Sequence, residues 1–266
     1  MNYLIYFFIF LLGASIGSFL NVLIDRLPKE KQITGRSVCD ECGHQLSWYD
    51  LIPIFSFFLL KGYCRYCRKK ISFQYLLVEI LTGLMFIFVF LTYVKNIQEI
   101  YIWQNWLVIL SLWGIFSCFI VIFFSDVKYH LISDYILLAL FGFSFFLKLF
   151  YHSTEITKQF QIDIFSSLIV AFPIWLIYFL SKEKAMGLGD VYLAAILGFL
   201  LGWQKGFLAL YISFVLGGIT GLFLILFGRK KLKSKIAFGP FLVVGAFLML
   251  FFGEGILQWV MRIYGL

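Results

Sequence analysis

Charged side chains are scarce in this chain. Asp, Glu, Lys and Arg make up 14% of its 266 residues, whereas 62% are hydrophobic. That balance excludes an ordinary soluble domain, where about a quarter of residues carry charge. A polar stretch of domain size is also missing; the largest polar insert covers residues 25–72. The first apolar run lacks a basic n-region and a small-residue cleavage site, which points to a retained helix and not a removed signal peptide. There is no glycine-rich, dinucleotide-type loop. No internal repeat stands out, and several apolar runs have no acid at depth. Both absences weigh against an ion-coupled transporter.

What remains is a set of apolar runs. Residues 3–24, 73–94, 105–124, 135–151, 164–180, 191–203, 207–227 and 241–261 are each apolar enough to form a membrane helix. The expected fold is an all-α polytopic membrane protein with about eight transmembrane helices. The sixth run is short, so it is either a tilted helix or a partial one buried by its neighbours. Trp103, Trp106, Trp203 and Trp259 near run ends fit interface anchoring.

The net charge of +8 is unevenly spread. Nine cations lie in the 25–72 insert, and the alternate loops add Lys128, then Lys182 and Lys184, then five between residues 229 and 235. Together these hold seventeen of the 22 cations. The positive-inside bias puts those loops, and so the insert, in the cytosol and both termini outside. Topology and anionic lipid account for the basic patches, so no nucleic-acid partner is expected.

Four of the five cysteines form two pairs, Cys39 with Cys42 and Cys64 with Cys67. Two such knuckles can close a tetrahedral thiolate site around Zn2+, and a reducing cytosol disfavours the alternative of disulfides. Four sulfur ligands leave no open position, so the metal would be structural, stapling an insert too small to fold alone. His44 is a possible replacement ligand, though four cysteines already complete the set. Cys118, mid-run, reads as a small core residue.

Two acids stand out against the apolar background. Asp126 lies where one run ends, and Asp190 closes Gly187-Leu188-Gly189-Asp190 before the short sixth run. Both fall in the cation-rich loop set. A helix C-terminus disfavours an anion, so Asp126 sits in an unfavourable place, whereas Asp134 reads as a helix N-cap. The glycines at 187 and 189 allow a bend and a close chain approach. Two neighbouring carboxylates can share a proton and activate water; intramembrane acids also serve ion pathways. From the residues alone both readings stand, beside a third in which the chain is a zinc-bearing scaffold without chemistry.

Several segments resemble bacterial prepilin peptidases, the type IV leader peptidases. They are Gly17-Ser18-Phe19-Leu20-Asn21-Val22-Leu23-Ile24-Asp25-Arg26-Leu27-Pro28, Trp48-Tyr49-Asp50-Leu51-Ile52-Pro53, Leu77-Val78-Glu79-Ile80-Leu81-Thr82-Gly83, Ala185-Met186-Gly187-Leu188-Gly189-Asp190-Val191 and Ala237-Phe238-Gly239-Pro240-Phe241. They run in family order over nearly the whole chain. The resemblance implies a GxGD-type aspartic protease of the bacterial cytoplasmic membrane, with Asp126 and Asp190 on the two catalytic positions. It would cut the short basic leader of type IV prepilins and pilin-like precursors of competence or secretion systems, on the cytosolic side. The two-knuckle insert implies N-methylation of the new N-terminal residue with S-adenosylmethionine. On this view residues 1–24 are the first transmembrane helix, 25–72 the methyltransferase-associated zinc insert and 73–266 the peptidase core.

The chain departs from the family pattern at Asp40 and Ser133, where Pro is usual, and at Tyr192, where Lys is usual. Gly62 aligns with a glycine typical of the insert and also suits a turn. Glu79, a lone acid inside the second run, either pairs with Lys69 or Lys70 or helps hold the methyl donor or the new α-amine. Asn21, Arg26 and Asp50 are expected to shape the cytosolic mouth. The rival readings are a peptidase that does not methylate and a proton-coupled transporter.

Overall fold

The computed structural model describes residues 3–39, 41–95, 102–151, 156–227 and 237–264. Asp40 and the basic stretch 229–235 lie outside the described residues. Each of the eight expected apolar segments is helical, and the described residues hold isolated β-bridges but no strand. The helices are α1 (Tyr3–Arg26), the short α2 (Phe55–Leu59), α3 (Phe73–Tyr93), α4 (Trp103–Tyr129), α5 (Asp134–Tyr151), α6 (Ile156–Ser181), α7 (Leu188–Leu201), α8 (Trp203–Leu226) and α9 (Gly239–Tyr264). Among the described residues six helices are long and apolar enough to cross a membrane: α1, α3, α4, α6, α8 and α9. The protein is therefore multi-pass.

The chain divides into two compact units, residues 1–121 and 122–266, with α4 running through the division. In the first unit α1 packs on α3. Added Cβ atoms at Gly13 and Gly17 would lie 2.8 Å from the Cα atoms of Gly83 and Glu79. Only small residues permit such backbone proximity. Asn21 ties the pair further, its Nδ2 donating to Tyr75 O at 3.0 Å. Deeper in, Trp113 stacks on Phe86 at 4.5 Å and donates Nε1–H to Phe86 O.

The second unit is built around α7, which touches α5, α6, α8 and α9. Nine of its 14 residues are buried, so the partial helix enclosed by neighbours is the form the short sixth run takes. Gly202, at φ +78°, ends α7 and lets α8 start at once. Gly198 lets α6 approach, since a Cβ there would lie 2.6 Å from Ser166 O.

Candidate functional site

Asp126 lies in the last turn of α4 and is buried. The C-terminal end of its own helix offers an anion nothing. The compensation comes from α9, whose first residue, Gly239, donates its N–H to Asp126 Oδ2 at 2.8 Å. That N–H is one of the donors a helix start leaves unpaired, at the positive end of the dipole. Asp190, the third residue of α7, is also buried and closes its own helix start. Its Oδ2 accepts from Gly187 N at 3.2 Å, and its N–H donates to Gly187 O. Each carboxylate thus faces a backbone N–H at a helix N-terminus.

Both acids line one cavity of about 280 Å³, with His130, Leu131, Ile132, Glu183 and residues 184–189, 237 and 238. Ile132 wedges between Gly189 at the start of α7 and Gly239 at the start of α9. A Cβ on Gly189 would lie 3.1 Å from Ile132 Cβ, and one on Gly239 would lie 3.2 Å from Ile132 Cδ1 and 2.7 Å from Asp126 Oδ2. Neither Gly239 nor Ile132 is a candidate site residue on sequence grounds. The Gly239-Pro240 pair was the available signal, because Pro suits the first turn of a helix. Asp134 is the first residue of α5, and Ser133 accepts the first N–H groups through its carbonyl, so the expected cap is shifted by one residue.

An apolar groove adjoins this cavity and shares His130 and Ala237 with it. Phe123, Val127, Leu216, Thr220, Leu224, Pro240, Phe241 and Val244 complete its walls. α4, α8 and α9 supply them.

In the first unit the four cysteine sulfurs lie within 4.8 Å of one another, and Cys39 and Cys67 Sγ are 3.9 Å apart. A tetrahedral Zn–S4 centre with bonds of about 2.3 Å has sulfur–sulfur edges of about 3.8 Å. All four are free thiols, so the disulfide alternative fails. Burial raises the Cys39 thiol, but hydrogen bonds from the backbone of Cys42 and Glu41 and from the neighbouring cysteines bring it down to about 7, while the same cluster pushes Cys67 up to about 11. The thiolate is the metal-binding form. The donor set and spacing fit a Zn2+ ion.

The two knuckles are built alike. Cys39 O accepts from Gly43 N, and Cys39 N donates to His44 O; Cys64 makes the same pair with Arg68 and Lys69. Gly43 and Arg68 occupy the matching left-handed positions, at φ +68° and +56°. His44 stacks on Tyr66 at 3.7 Å and is not in the sulfur cluster. Asp50 binds the halves together, accepting from Ser47 N and from Arg65 Nε at 2.8 Å. Arg26 holds the preceding loop by donating to the carbonyls of Gln32, Ile33, Thr34 and Arg36. Both residues thus brace the insert internally.

Glu79 is buried in α3, and its Oε2 accepts from Ile54 N at 2.8 Å. Of the two cations considered as partners for Glu79, Lys69 pairs with Glu41 instead. Gly62 adopts φ +75°, with the Phe57 ring 3.1 Å from where a Cβ would sit, and so serves a turn.

Residues 11–93 match the family model described as the bacterial peptidase A24 N-terminal domain, and residues 113–222 match that of the type IV leader peptidase family. The first match contains the four cysteines and Glu79, the second both acids. Similar curated proteins include one from Aeromonas salmonicida (strain A449), 29% identical over 97% of this chain and 94% of its own length. Others come from Pseudomonas aeruginosa, 27% identical over 96% and 93%, and Legionella pneumophila, 26% identical over 96% and 93%. All three bear the name prepilin leader peptidase/N-methyltransferase. No solved structure matches.

Proposed function

We infer the function from one premise: this chain belongs to the type IV leader peptidase family. It is a prepilin peptidase with N-methyltransferase activity, cutting the leader from type IV prepilins and methylating the N-terminus that cleavage exposes. In our reading Asp126 and Asp190 are the catalytic pair, and the observation that carries this is their placement in one cavity, each beside a helix-start N–H.

Two acids so placed titrate as a unit, one ionised and one protonated. The ionised member takes a proton from water as the water oxygen bonds to the scissile carbonyl carbon. The protonated member donates to the carbonyl oxygen. As the tetrahedral adduct collapses, its hydroxyl proton returns to the ionised carboxylate, that oxygen becomes a carbonyl again, and the other carboxylic acid passes its proton to the departing amine. The N–H groups of Gly239 and Gly187 orient the carboxylates throughout. The adjoining apolar groove receives the apolar stem of the precursor, leaving the leader junction over the acids. Gly187 and Gly189 form the active-site loop by keeping its backbone close to Ile132 and Asp190. The cavity faces the cytosol across the bacterial cytoplasmic membrane, a reading supported by the cation distribution.

Cys39, Cys42, Cys64 and Cys67 hold a structural Zn2+ that fixes the insert. S-adenosylmethionine supplies the methyl group. Glu79, the buried carboxylate where the insert meets α3, is the group suited to attract a cationic sulfonium or the new α-amine. The turn at Gly62 shapes the insert around it. The precursors that are cut belong to pilus, competence or secretion systems.

The test is co-expression with a candidate prepilin. The unaltered chain shortens the precursor, and Asp190→Asn leaves it uncut while the protein still accumulates in the membrane. A fully active Asp190→Asn protein would remove Asp190 from the chemistry.

A further inference from the structure

The insert carries an apolar face that its own fold does not cover. Phe55, Phe58 and Leu59 are 55%, 64% and 78% exposed. They stand at positions i, i+3 and i+4 of α2, so they form one face. Phe57 points elsewhere, against Phe73 and the turn at Gly62. Leu51 and Ile52 precede this face and are exposed too. So much outward apolar surface on five consecutive helical residues calls for a partner.

The depth of α2 identifies that partner. Ile54, the residue before α2, donates its N–H to Glu79 Oε2 at 2.8 Å. Glu79 is six residues into α3, a membrane-spanning helix, which is about 9 Å along its axis. Side chains on a helix lean toward its N-terminus, so about 9 Å is the greatest depth of the anchor. The interfacial layer on each side of a bilayer is about 5–8 Å thick. The start of α2 is thus held near the boundary between headgroups and acyl chains. Ile54 adopts φ +67°, an uncommon conformation for a β-branched residue, so the anchor is held against backbone preference. The apolar face is followed at once by exposed Lys61, and the Tyr63–Lys70 bridge brings Lys70 alongside that turn. Cations beside an apolar face suit an anionic headgroup layer.

We propose that α2 is an interfacial wedge that sinks Phe55, Phe58 and Leu59 into the bilayer, so that the cysteine insert lies on the membrane surface and does not project from it. The proposal stands apart from whichever reaction the acids perform.

The test uses the full chain in nanodiscs of phosphatidylethanolamine and phosphatidylglycerol. A photoreactive phenylalanine analogue replaces Phe58, or in a second protein Leu59, with exposed Gln45 of the first knuckle as the control site. After irradiation, mass spectrometry should find phospholipid adducts at 58 and 59 and none at 45. Adducts at 58 and 59 made only with water or with protein would overturn the proposal; a protein adduct would assign the face to a partner chain. Equal lipid labelling at 45 would overturn it as well, by showing no selective immersion. The second site keeps the test decisive if one variant does not fold.

Discussion

The cysteine insert and the acid cavity are assembled by opposite routes. The insert gathers its four sulfurs from two short loops whose farthest members are 28 residues apart, and each loop closes with its own backbone hydrogen bonds. The acid cavity depends on partners far along the chain: Gly239 lies 113 residues from the carboxylate it caps. One site is therefore written into local spacing and has the donor geometry to hold a metal. The other is written mainly into helix packing, with only its Asp190 end closed locally by Gly187. The two should fail separately when each is damaged.

The largest effect is expected at the acids. On the proposed mechanism Asp126→Asn or Asp190→Asn removes a proton-transfer group, with an expected loss of about 10²–10⁴-fold or more in cleavage, read by precursor shortening. Zinc content, measured by elemental analysis, stays at the unaltered level. A parallel loss of zinc would mean the two sites are not independent.

The converse damage is Cys64→Ser, or stripping with a strong chelator. The insert should become protease-sensitive and methylation should fall to background, because a metal bound by the four thiolates would supply folding free energy. Cleavage should persist, as seen by mass spectrometry of an unmethylated mature N-terminus. Cleavage lost to the same degree would merge the two sites into one.

A smaller loss is expected from Gly239→Ala. Its Cβ would fall 2.7 Å from Asp126 Oδ2, so carboxylate or helix must shift. Displacement on that scale costs on the order of 10²-fold in rate, with membrane expression unchanged. Glu79→Gln sharpens the comparison from the other side. Methyl transfer should drop while cleavage stays near normal, and full retention of methylation would confine Glu79 to its anchoring bond with Ile54.

The smallest effect concerns the paired knuckles. Gly43 has open space around it but sits at φ +68°, so Gly43→Ala adds only backbone strain, about 1 kcal/mol. Arg68→Gly at the matching position should relieve strain and stabilise by up to a similar amount. Chelator titration of zinc release from the two variants should shift in opposite directions.

Much of this was legible before any fold was known. All the apolar runs but the short sixth had the length of membrane helices, and all became helices, because lipid leaves the backbone no other way to satisfy itself. The cysteine spacing carried its own geometry. At Asp126 the unfavourable helix end was readable, but its remedy was not. Nothing in residues 122–130 announces that the first N–H of α9 arrives there, since that approach is set by helix packing. Glu79 shows the same limit. A lone acid in an apolar run suggested a cation, whereas the fold supplied the backbone of Ile54.

The brevity of α7 has a consequence for hydration. Fourteen residues make a rod of about 21 Å, well short of the roughly 30 Å oily slab it stands in. A rod that short can end inside the slab, and lipid could not fill the cavity at its acidic tip without stranding two buried carboxylates in oil. A dimple of solvent reaching down to that tip would give hydrolysis its second reactant in a medium that otherwise holds almost none.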